Sequence, residues 1–123
     1  MIEDLKIEIS AIKKWASFNP LIRKVWIFGS CIRVNPHEAD DLDVAVEIEK
    51  KEGDETKEVT AIGERRKWEE RLNAKMKFRE RGYKLSFKLH LECYDTDGNE
   101  TPYIQKGIQA GSHLIYSKTD IKL

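Results

Sequence analysis

Two short apolar segments joined by a glycine turn constrain this sequence more than any other feature. Residues 24–28 (KVWIF) are β-branched and aromatic and stop at Gly29 and Ser30, which is typical of a buried strand that ends in a turn. Residues 41–47 (DLDVAVE) alternate acidic and apolar side chains, which is the period of a strand with one face in a core. The chain is therefore expected to contain a sheet that includes both strands.

Other periodicities predict the elements around these strands. Residues 2–18 have the apolar spacing of one helix face, residues 55–81 predict one long or two shorter charged helices, and residues 101–111 predict a short helix. Residues 84–94 alternate strictly, and residues 113–116 form a last short strand. We therefore predict an α/β (α+β) fold, with a small mixed β-sheet of about four strands flanked by helices.

The charge balance and the cysteines limit the classes of partner and compartment. The chain carries 22 Lys+Arg and 22 Asp+Glu, so its formal net charge is zero, whereas binding of long nucleic acids needs an excess of basic residues. No run approaches the roughly 18 apolar residues of a membrane helix, and no signal-peptide pattern is present. The two cysteines match no disulfide framework and no zinc spacing. We expect one cytoplasmic domain over residues 1–123, without a membrane or a long nucleic-acid groove, and leave homo-oligomerisation open.

The residues that can carry chemistry lie at the ends of the two strands. Asp41 and Asp43 are two positions apart in a strand, so both carboxylates project from one face. Such a pair repels unless a cation neutralises it, and Mg²⁺ takes carboxylate oxygens while leaving positions for phosphates. Gly29 would let the backbone approach a phosphate, and Ser30 would offer a hydroxyl and an amide. Taken separately, Gly29 and Ser30 can be explained as an ordinary strand-ending turn, and Asp41 and Asp43 as solvated acids at a half-exposed strand end.

Taken together, these residues form a recognisable pattern. An apolar strand, Gly-Ser, a loop and Asp-apolar-Asp-apolar, with Gly29 and Asp41 12 positions apart, resembles the nucleotidyltransferase superfamily that includes DNA polymerase beta. The most similar group is the minimal nucleotidyltransferases. The resemblance implies that Asp41 and Asp43 ligate one or two Mg²⁺ ions. It also implies that Glu92, on the polar face of the strand at residues 84–94, is a third catalytic acid that binds metal and helps to deprotonate the acceptor.

The resemblance further implies a nucleotide site and a reaction. Gly29, Ser30 and Arg33 would bind the phosphates of a nucleoside triphosphate, with ATP as the expected nucleotide. An acceptor hydroxyl would attack the α-phosphorus and release pyrophosphate. In the minimal group the acceptor is often a separate helical partner protein, as in toxin–antitoxin pairs in which a tyrosine is nucleotidylated. An antitoxin role is therefore implied for this chain.

The motif also departs from the family at four positions. Cys31 stands where small members carry arginine, and Val34 stands at the loop glycine. Asp40 stands at the small residue before the first acid, and Glu92 replaces an aspartate. His90 and Asp95 are alternative residues for the site on the same part of the chain. These departures leave a second hypothesis open, a catalytically inactive nucleotide-binding or protein-interaction module of the same fold. A third is a detached subunit of a small-molecule nucleotidyltransferase.

Overall fold

A computed structural model describes residues 5–33, 36–48, 55–83, 87–95 and 111–118. The elements in chain order are α1 Lys6–Ser17, β1 Ile22–Phe28, α2 Ser30–Arg33, β2 Asp41–Ile48, α3 Glu55–Met76, β3 Lys88–Asp95 and β4 Ser112–Ser117. Two 3₁₀ turns, Pro36–Glu38 and Phe78–Arg81, precede β2 and follow α3. The predicted helix over residues 101–111 lies, apart from Gly111, outside the described residues.

Helix α1 forms because its apolar residues recur on one face. Leu5, Ile12 and Ala16 are fully buried, as the spacing predicts. The helix ends at Ser17, with Phe18 as its C-cap two residues before Pro20, because the position before a proline disfavours the helical conformation. The predicted N-terminal helix is confirmed.

The four strands form one mixed sheet in the order β3-β2-β1-β4. Strand β1 is antiparallel to both β2 and β4, while β2 and β3 are parallel. A parallel pair needs a long crossover, and the 22-residue helix α3 lies in the connection between β2 and β3. The predicted α+β fold with a small mixed sheet of four strands is confirmed.

The two faces of the sheet differ in composition. The face toward α1 and α3 carries the main core, in which the alternate residues of β2 predicted to be apolar are all buried: Leu42, Val44 and Val46. The opposite face holds a smaller apolar cluster of Phe28 and Ala45, with Trp26 packed against it. The acidic residues of β2 lie on this second face, because side chains alternate along a strand.

Helix α3 closes the outer edge of β3 with side chains instead of a further strand. Asn73 Nδ2 donates to the carbonyl oxygen of Leu89 at 3.0 Å, and Asn73 Oδ1 accepts from the Leu89 N–H at 2.7 Å. One and two turns earlier, Glu69 accepts from the N–H of Leu91 at 2.9 Å and Arg65 donates to its carbonyl at 2.6 Å. The edge groups of β3 at these two residues are thus satisfied, which limits pairing with other chains there. In the part of the chain described, no helix is both long and apolar enough to cross a membrane.

Two element boundaries differ clearly from the prediction, whereas the bounds of β1, β2 and β4 agree with it to within two residues. The strand predicted over residues 84–94 is observed as β3, which begins at Lys88; Phe87 is buried just before it, and residues 84–86 lie outside the described residues. The helix predicted over residues 55–81 is one helix that stops at Met76. It stops because Lys77 adopts a left-handed conformation (φ 47°), after which the chain continues as a 3₁₀ turn.

Candidate active site

Gly29 brings the end of β1 directly against an acidic residue of β2. Its φ of +83° is a left-handed conformation that favours glycine. A Cβ atom at Gly29 would overlap Oδ2 of Asp43 and would lie 3.1 Å from its carboxyl carbon. The glycine is therefore required both by the backbone turn and by the carboxylate that lies on it.

Asp41 and Asp43 lie on the same face at the start of β2, and both are half-buried. Asp43 is paired with Phe28 on one side, so the apolar cluster of Phe28 and Ala45 adjoins the acidic pair. One flank of the pair is thus low in polarity, which strengthens electrostatic interactions there. The predicted juxtaposition of the two aspartates on one face is confirmed.

The turn after Gly29 is held by buried contacts. Cys31 is fully buried, and its Sγ donates to the carbonyl oxygen of Phe28 at 3.4 Å, so it fills space as a small core residue. The N–H of Ile32 bonds to the carbonyl of Gly29 at 3.3 Å. Ser30 and Arg33 begin and end α2, with side chains outside the described part, so their predicted phosphate contacts stay predictions.

Glu92 occupies a different position from the aspartates on the shared face. The parallel register pairs Asp43 with His90 and pairs Ala45 with Glu92, so Glu92 lies one same-face step further along the sheet. Its Oε1 lies 2.7 Å from Nε2 of His90, close enough for a hydrogen bond. Among the described residues, no group of three or more His, Cys, Asp or Glu side chains is close enough to hold a metal ion. The structure thus brings Asp41 and Asp43 together on one face and places Glu92 beside His90.

The register also places a cation that the sequence reasoning missed. Lys88 is the pairing partner of Asp41, and its side chain is exposed on the same face. The alternation over residues 84–94 puts Lys88 on the polar face, but it carries no information about which residue of β2 lies beside it. Only the pairing of β2 with β3 places this lysine next to the acidic pair.

A second missed feature supports the segment that leads into β2. The ring of His37, in the 3₁₀ turn before Asp41, stacks on Tyr83 with centroids 4.7 Å apart. The hydroxyl of Tyr83 donates to Oε1 of Glu8 at 3.2 Å, and Arg81 donates to the same oxygen at 2.9 Å. Glu8 is only 1% exposed, although a glutamate in a charged helix predicts a surface position. This cluster connects α1, the segment after α3 and the approach to the acidic strand.

Cys93 next to Glu92 is a protonated thiol at neutral pH. Its burial raises the pKa of the Cys93 thiol from 9.0 to about 12. Two smaller effects act in opposite directions on this pKa: the charge of Arg65 lowers it and the charge of Glu92 raises it. A nucleophilic or metal-binding cysteine needs a lowered pKa. The Cys93 side chain is therefore a structural one.

A strand-ending glycine packed on one of two adjacent carboxylates, in a mixed sheet backed by helices, is the arrangement on which the resemblance to nucleotidyltransferases rests. The family model described as polymerase beta, nucleotidyltransferase, matches residues 10–121, and the chain belongs to that family. Comparison with curated proteins and with solved structures found no match. The chain therefore has a general nucleotidyltransferase function and a nucleotide as substrate; the family generally uses a divalent metal and a nucleoside triphosphate.

Proposed function

We propose that the chain is a Mg²⁺-dependent nucleotidyltransferase that transfers a nucleoside monophosphate from ATP to a hydroxyl group, with the tyrosine of a helical toxin partner as the acceptor and an antitoxin role for this chain. The acceptor oxygen forms a bond to the α-phosphorus, the bond from that phosphorus to the bridging oxygen of the β-phosphate breaks, and pyrophosphate leaves. The hydroxyl proton passes to a neighbouring base or to water.

One observation supports this proposal most strongly, the contact between Gly29 and the Asp43 carboxylate. It connects the Gly-Ser turn, which would receive the phosphates, with the acidic pair that would receive the metal. The two halves of the motif lie 12 positions apart in sequence, and neither is specific alone. Their direct contact is what a site for a metal-bound triphosphate needs.

The donor set at the start of β2 fits magnesium. Asp41 and Asp43 offer carboxylate oxygens from one face, and Mg²⁺ is typically held by one or two carboxylates together with substrate phosphates. When bound, the metal would neutralise charge on the phosphate and leaving oxygens. Asp41 and Asp43 would hold the ion, Gly29 and Ser30 would hold the β- and γ-phosphates, and Arg33 would bind a phosphate.

The role of Glu92 distinguishes the active enzyme from the inactive alternative. In an active enzyme the Glu92 side chain would turn toward Asp43, serve as the third catalytic and metal-binding acid, and take part in deprotonating the acceptor. Its hydrogen bond with His90 and its position one step beyond Asp43 favour the second candidate, a nucleotide-binding or protein-interaction module without transfer. Binding of nucleotide without transfer would identify that candidate.

The experiment separates binding from transfer with one charge-matched control. ATP, GTP, CTP and UTP are titrated into the protein with and without Mg²⁺ by calorimetry, for the wild type, Asp43→Asn and Asp40→Asn. Asparagine keeps the shape of aspartate and removes its charge; Asp40 is an exposed acid immediately before the strand, so its variant removes the same charge outside the pair. We expect Mg²⁺-dependent binding of ATP to be lost in Asp43→Asn and retained in Asp40→Asn.

Transfer is then followed with ATP labelled at the α-phosphate and with mass spectrometry of candidate acceptors. A nucleotide adduct on a tyrosine of a helical partner, absent with the Asp41→Ala/Asp43→Ala double variant, is the expected result. Metal-dependent transfer retained by that double variant would contradict the mechanism. Equal loss of nucleotide binding in Asp40→Asn and Asp43→Asn would show that only net charge matters.

A further inference from the structure

Helix α1 carries a second apolar stripe beside the one that faces the core. Four residues spaced by four, four and three positions lie along this side of the helix: Ile7, Ala11, Trp15 and Phe18. Ile7 is 61% exposed, and Phe18 at the C-cap is 78% exposed. From the helical rise per residue, the stripe is about 16 Å long. An apolar stripe of this length that reaches the surface is typical of an interaction surface, whereas single exposed apolar residues are common on any surface.

The stripe borders a groove between α1 and α3. Trp15, near the end of α1, packs edge to face on Trp68 of α3 with ring centroids 5.7 Å apart. Glu8, near the start of α1, bonds to Arg81, which follows α3, so the two helices run antiparallel. A cavity of about 480 Å³ lies between them, and its lining includes the half-buried Trp15 and the buried Leu72. We call this surface the α1–α3 groove: the stripe of α1 together with the α3 residues that line the cavity, Arg71, Leu72, Ala74 and Lys75.

The α3 side of the groove is cationic. Arg71 and Lys75 lie one turn apart, line the cavity and are exposed, and Lys14 of α1 is exposed beside the stripe. None of these three cations forms an ion pair in the part of the chain that the structure describes. The acids Glu69 and Glu70 of α3 are each paired with an arginine one turn earlier. The groove therefore combines an apolar floor with positive charge that these acids do not neutralise.

We propose that the α1–α3 groove is a docking site for an acidic amphipathic helix of a partner protein. The apolar side chains of that helix, spaced by three and four positions, pack on the stripe and on Leu72. Its flanking carboxylates pair with Arg71 and Lys75. A helix fits this groove better than an extended peptide, because the backbone groups of α1 and α3 are bonded within the helices and offer no edge for an added strand.

Charge and shape favour this partner over other occupants. A second copy of the chain, docked by two-fold symmetry, would bring Arg71 and Lys75 against the same cationic surface, and like charges at an interface oppose association. A membrane surface contacts the residues that protrude, whereas Trp15 and Leu72 lie in a recess that can receive a rod. A small group of cations around an apolar floor is also too few for the backbone of a long nucleic acid.

The groove is separate from the candidate active site. Leu72 belongs to the main core and Trp15 packs against it, on the face of the sheet covered by α1 and α3. Asp41 and Asp43 lie on the opposite face. A partner bound in the groove therefore leaves the acidic pair open, and the docking proposal does not depend on transfer of a nucleotide.

The test uses fluorescence anisotropy with two helical peptides of opposite charge. The acidic peptide is a stapled helix with leucine at positions i, i+4, i+7 and i+11, glutamate on both flanks of the leucines and alanine elsewhere. The basic peptide has lysine in place of every glutamate. Sedimentation with vesicles of phosphatidylcholine and phosphatidylserine tests a membrane surface, and sedimentation velocity of the protein alone tests a second copy.

One pair of variants tests the charge of the groove. Arg71→Gln/Lys75→Gln removes two cations from it, and Lys6→Gln/Lys13→Gln removes the same charge from exposed positions on the other side of α1. Both variants change only exposed side chains, so the fold should be kept. We expect the acidic peptide to bind the wild type and the α1 control equally, and to bind the groove variant about fivefold or more weakly at low salt.

A second pair tests the apolar stripe. Phe18→Ser removes its most exposed side chain, and the control Leu114→Ser removes an exposed apolar side chain from β4. Leu114 pairs with Trp26, so it lies on the other face of the sheet. We expect the acidic peptide to bind Phe18→Ser about fivefold or more weakly and to bind Leu114→Ser like the wild type.

The proposal is supported if both groove variants weaken binding of the acidic peptide, both controls keep it and the basic peptide does not bind. It is refuted if the acidic peptide does not bind the wild type, if the two peptides bind equally, or if each control loses as much affinity as its groove variant. Vesicle binding that is lost in Phe18→Ser would replace the partner helix by a membrane surface, and a dimer that is lost in that variant would replace it by a second copy. Either result would also overturn the proposal.

Discussion

Replacement of Gly29 by alanine tests the central contact of the site. The φ of Gly29 is +83°, and a left-handed backbone costs an L-residue roughly 1–2 kcal/mol. In addition, the new methyl group would overlap the Asp43 carboxylate, which must rotate away from its preferred position. An off-rotamer side chain costs roughly 0.5–1.5 kcal/mol, so we expect Gly29→Ala to destabilise the protein by about 1.5–3.5 kcal/mol in total.

Gly82 offers a matched control for the backbone effect. Its φ is +81°, but a Cβ atom there would meet nothing within 4 Å. Gly82→Ala should therefore cost only the backbone component, roughly 1–2 kcal/mol. In the Asp43→Ala background the carboxylate is absent and only the Cβ atom of residue 43 remains, 3.3 Å from the new methyl group, so adding Gly29→Ala should cost only slightly more than Gly82→Ala. Chemical denaturation gives these differences, and each kcal/mol should lower the Tm by about 4 °C.

The same variants distinguish a functional from a purely structural contact. Displacement of a reacting group by about 1 Å can cost about 10²-fold in rate, so Mg²⁺-dependent nucleotide binding and transfer should fall sharply in Gly29→Ala and stay near wild type in Gly82→Ala. The reasoning is refuted if both alanine variants are equally destabilised and both retain nucleotide binding. It is also refuted if the extra cost of Gly29→Ala persists in full in the Asp43→Ala background.

Three further predictions concern stability and thiol chemistry. Arg81→Met alone should destabilise by about 3 kcal/mol, because it leaves the buried Glu8 carboxylate without its charged partner, whereas the double variant Glu8→Leu/Arg81→Met should be near wild type by denaturation. Asn73→Ala should lose the two hydrogen bonds to the edge of β3 and destabilise the protein by about 1–3 kcal/mol. The control is Ala74→Ser, an exposed change on the next residue. Equal stability of the two variants would contradict the role of Asn73. Cys93 has a pKa of about 12 in the folded state against 9.0 in the unfolded state, so the free energy of unfolding should fall as pH rises from 9 toward 12. Cys93→Ala should remove that part of the decline. Rapid alkylation of Cys93 in the native protein at pH 8 would contradict its burial.

Some of the site follows from local periodicity. The two-residue period of a strand is a property of the backbone, so the placement of Asp41 and Asp43 on one face follows from their spacing alone. The turn at Gly29 is equally local, because an apolar run that stops at Gly-Ser indicates a strand end. The same motifs, read together over most of the chain, also predict the number of strands in the sheet, the two flanking helices and the family.

Other parts depend on contacts between distant segments. Glu8 looks like a surface residue of a charged helix, and it is buried because Arg81 and Tyr83, more than 70 positions later, cover and hydrogen-bond it. The end of α3 likewise depends on the left-handed Lys77, in a stretch whose composition would continue a helix. Neither feature has a local pattern that predicts it.

The sequence by itself therefore determined which residues share a face, which segments form strands and helices, and which motif joins Gly29 to the acidic pair. The tertiary structure alone decided what lies beside that pair: Lys88 next to Asp41, His90 next to Asp43, and Glu92 one step further. The physical reason is that side-chain alternation is fixed by the geometry of each strand, whereas the register between parallel strands is set by the packing of the crossover helix and by its side chains on the edge of β3. A shift of two residues in that register would keep every side chain on its face and place a different residue at the acidic pair.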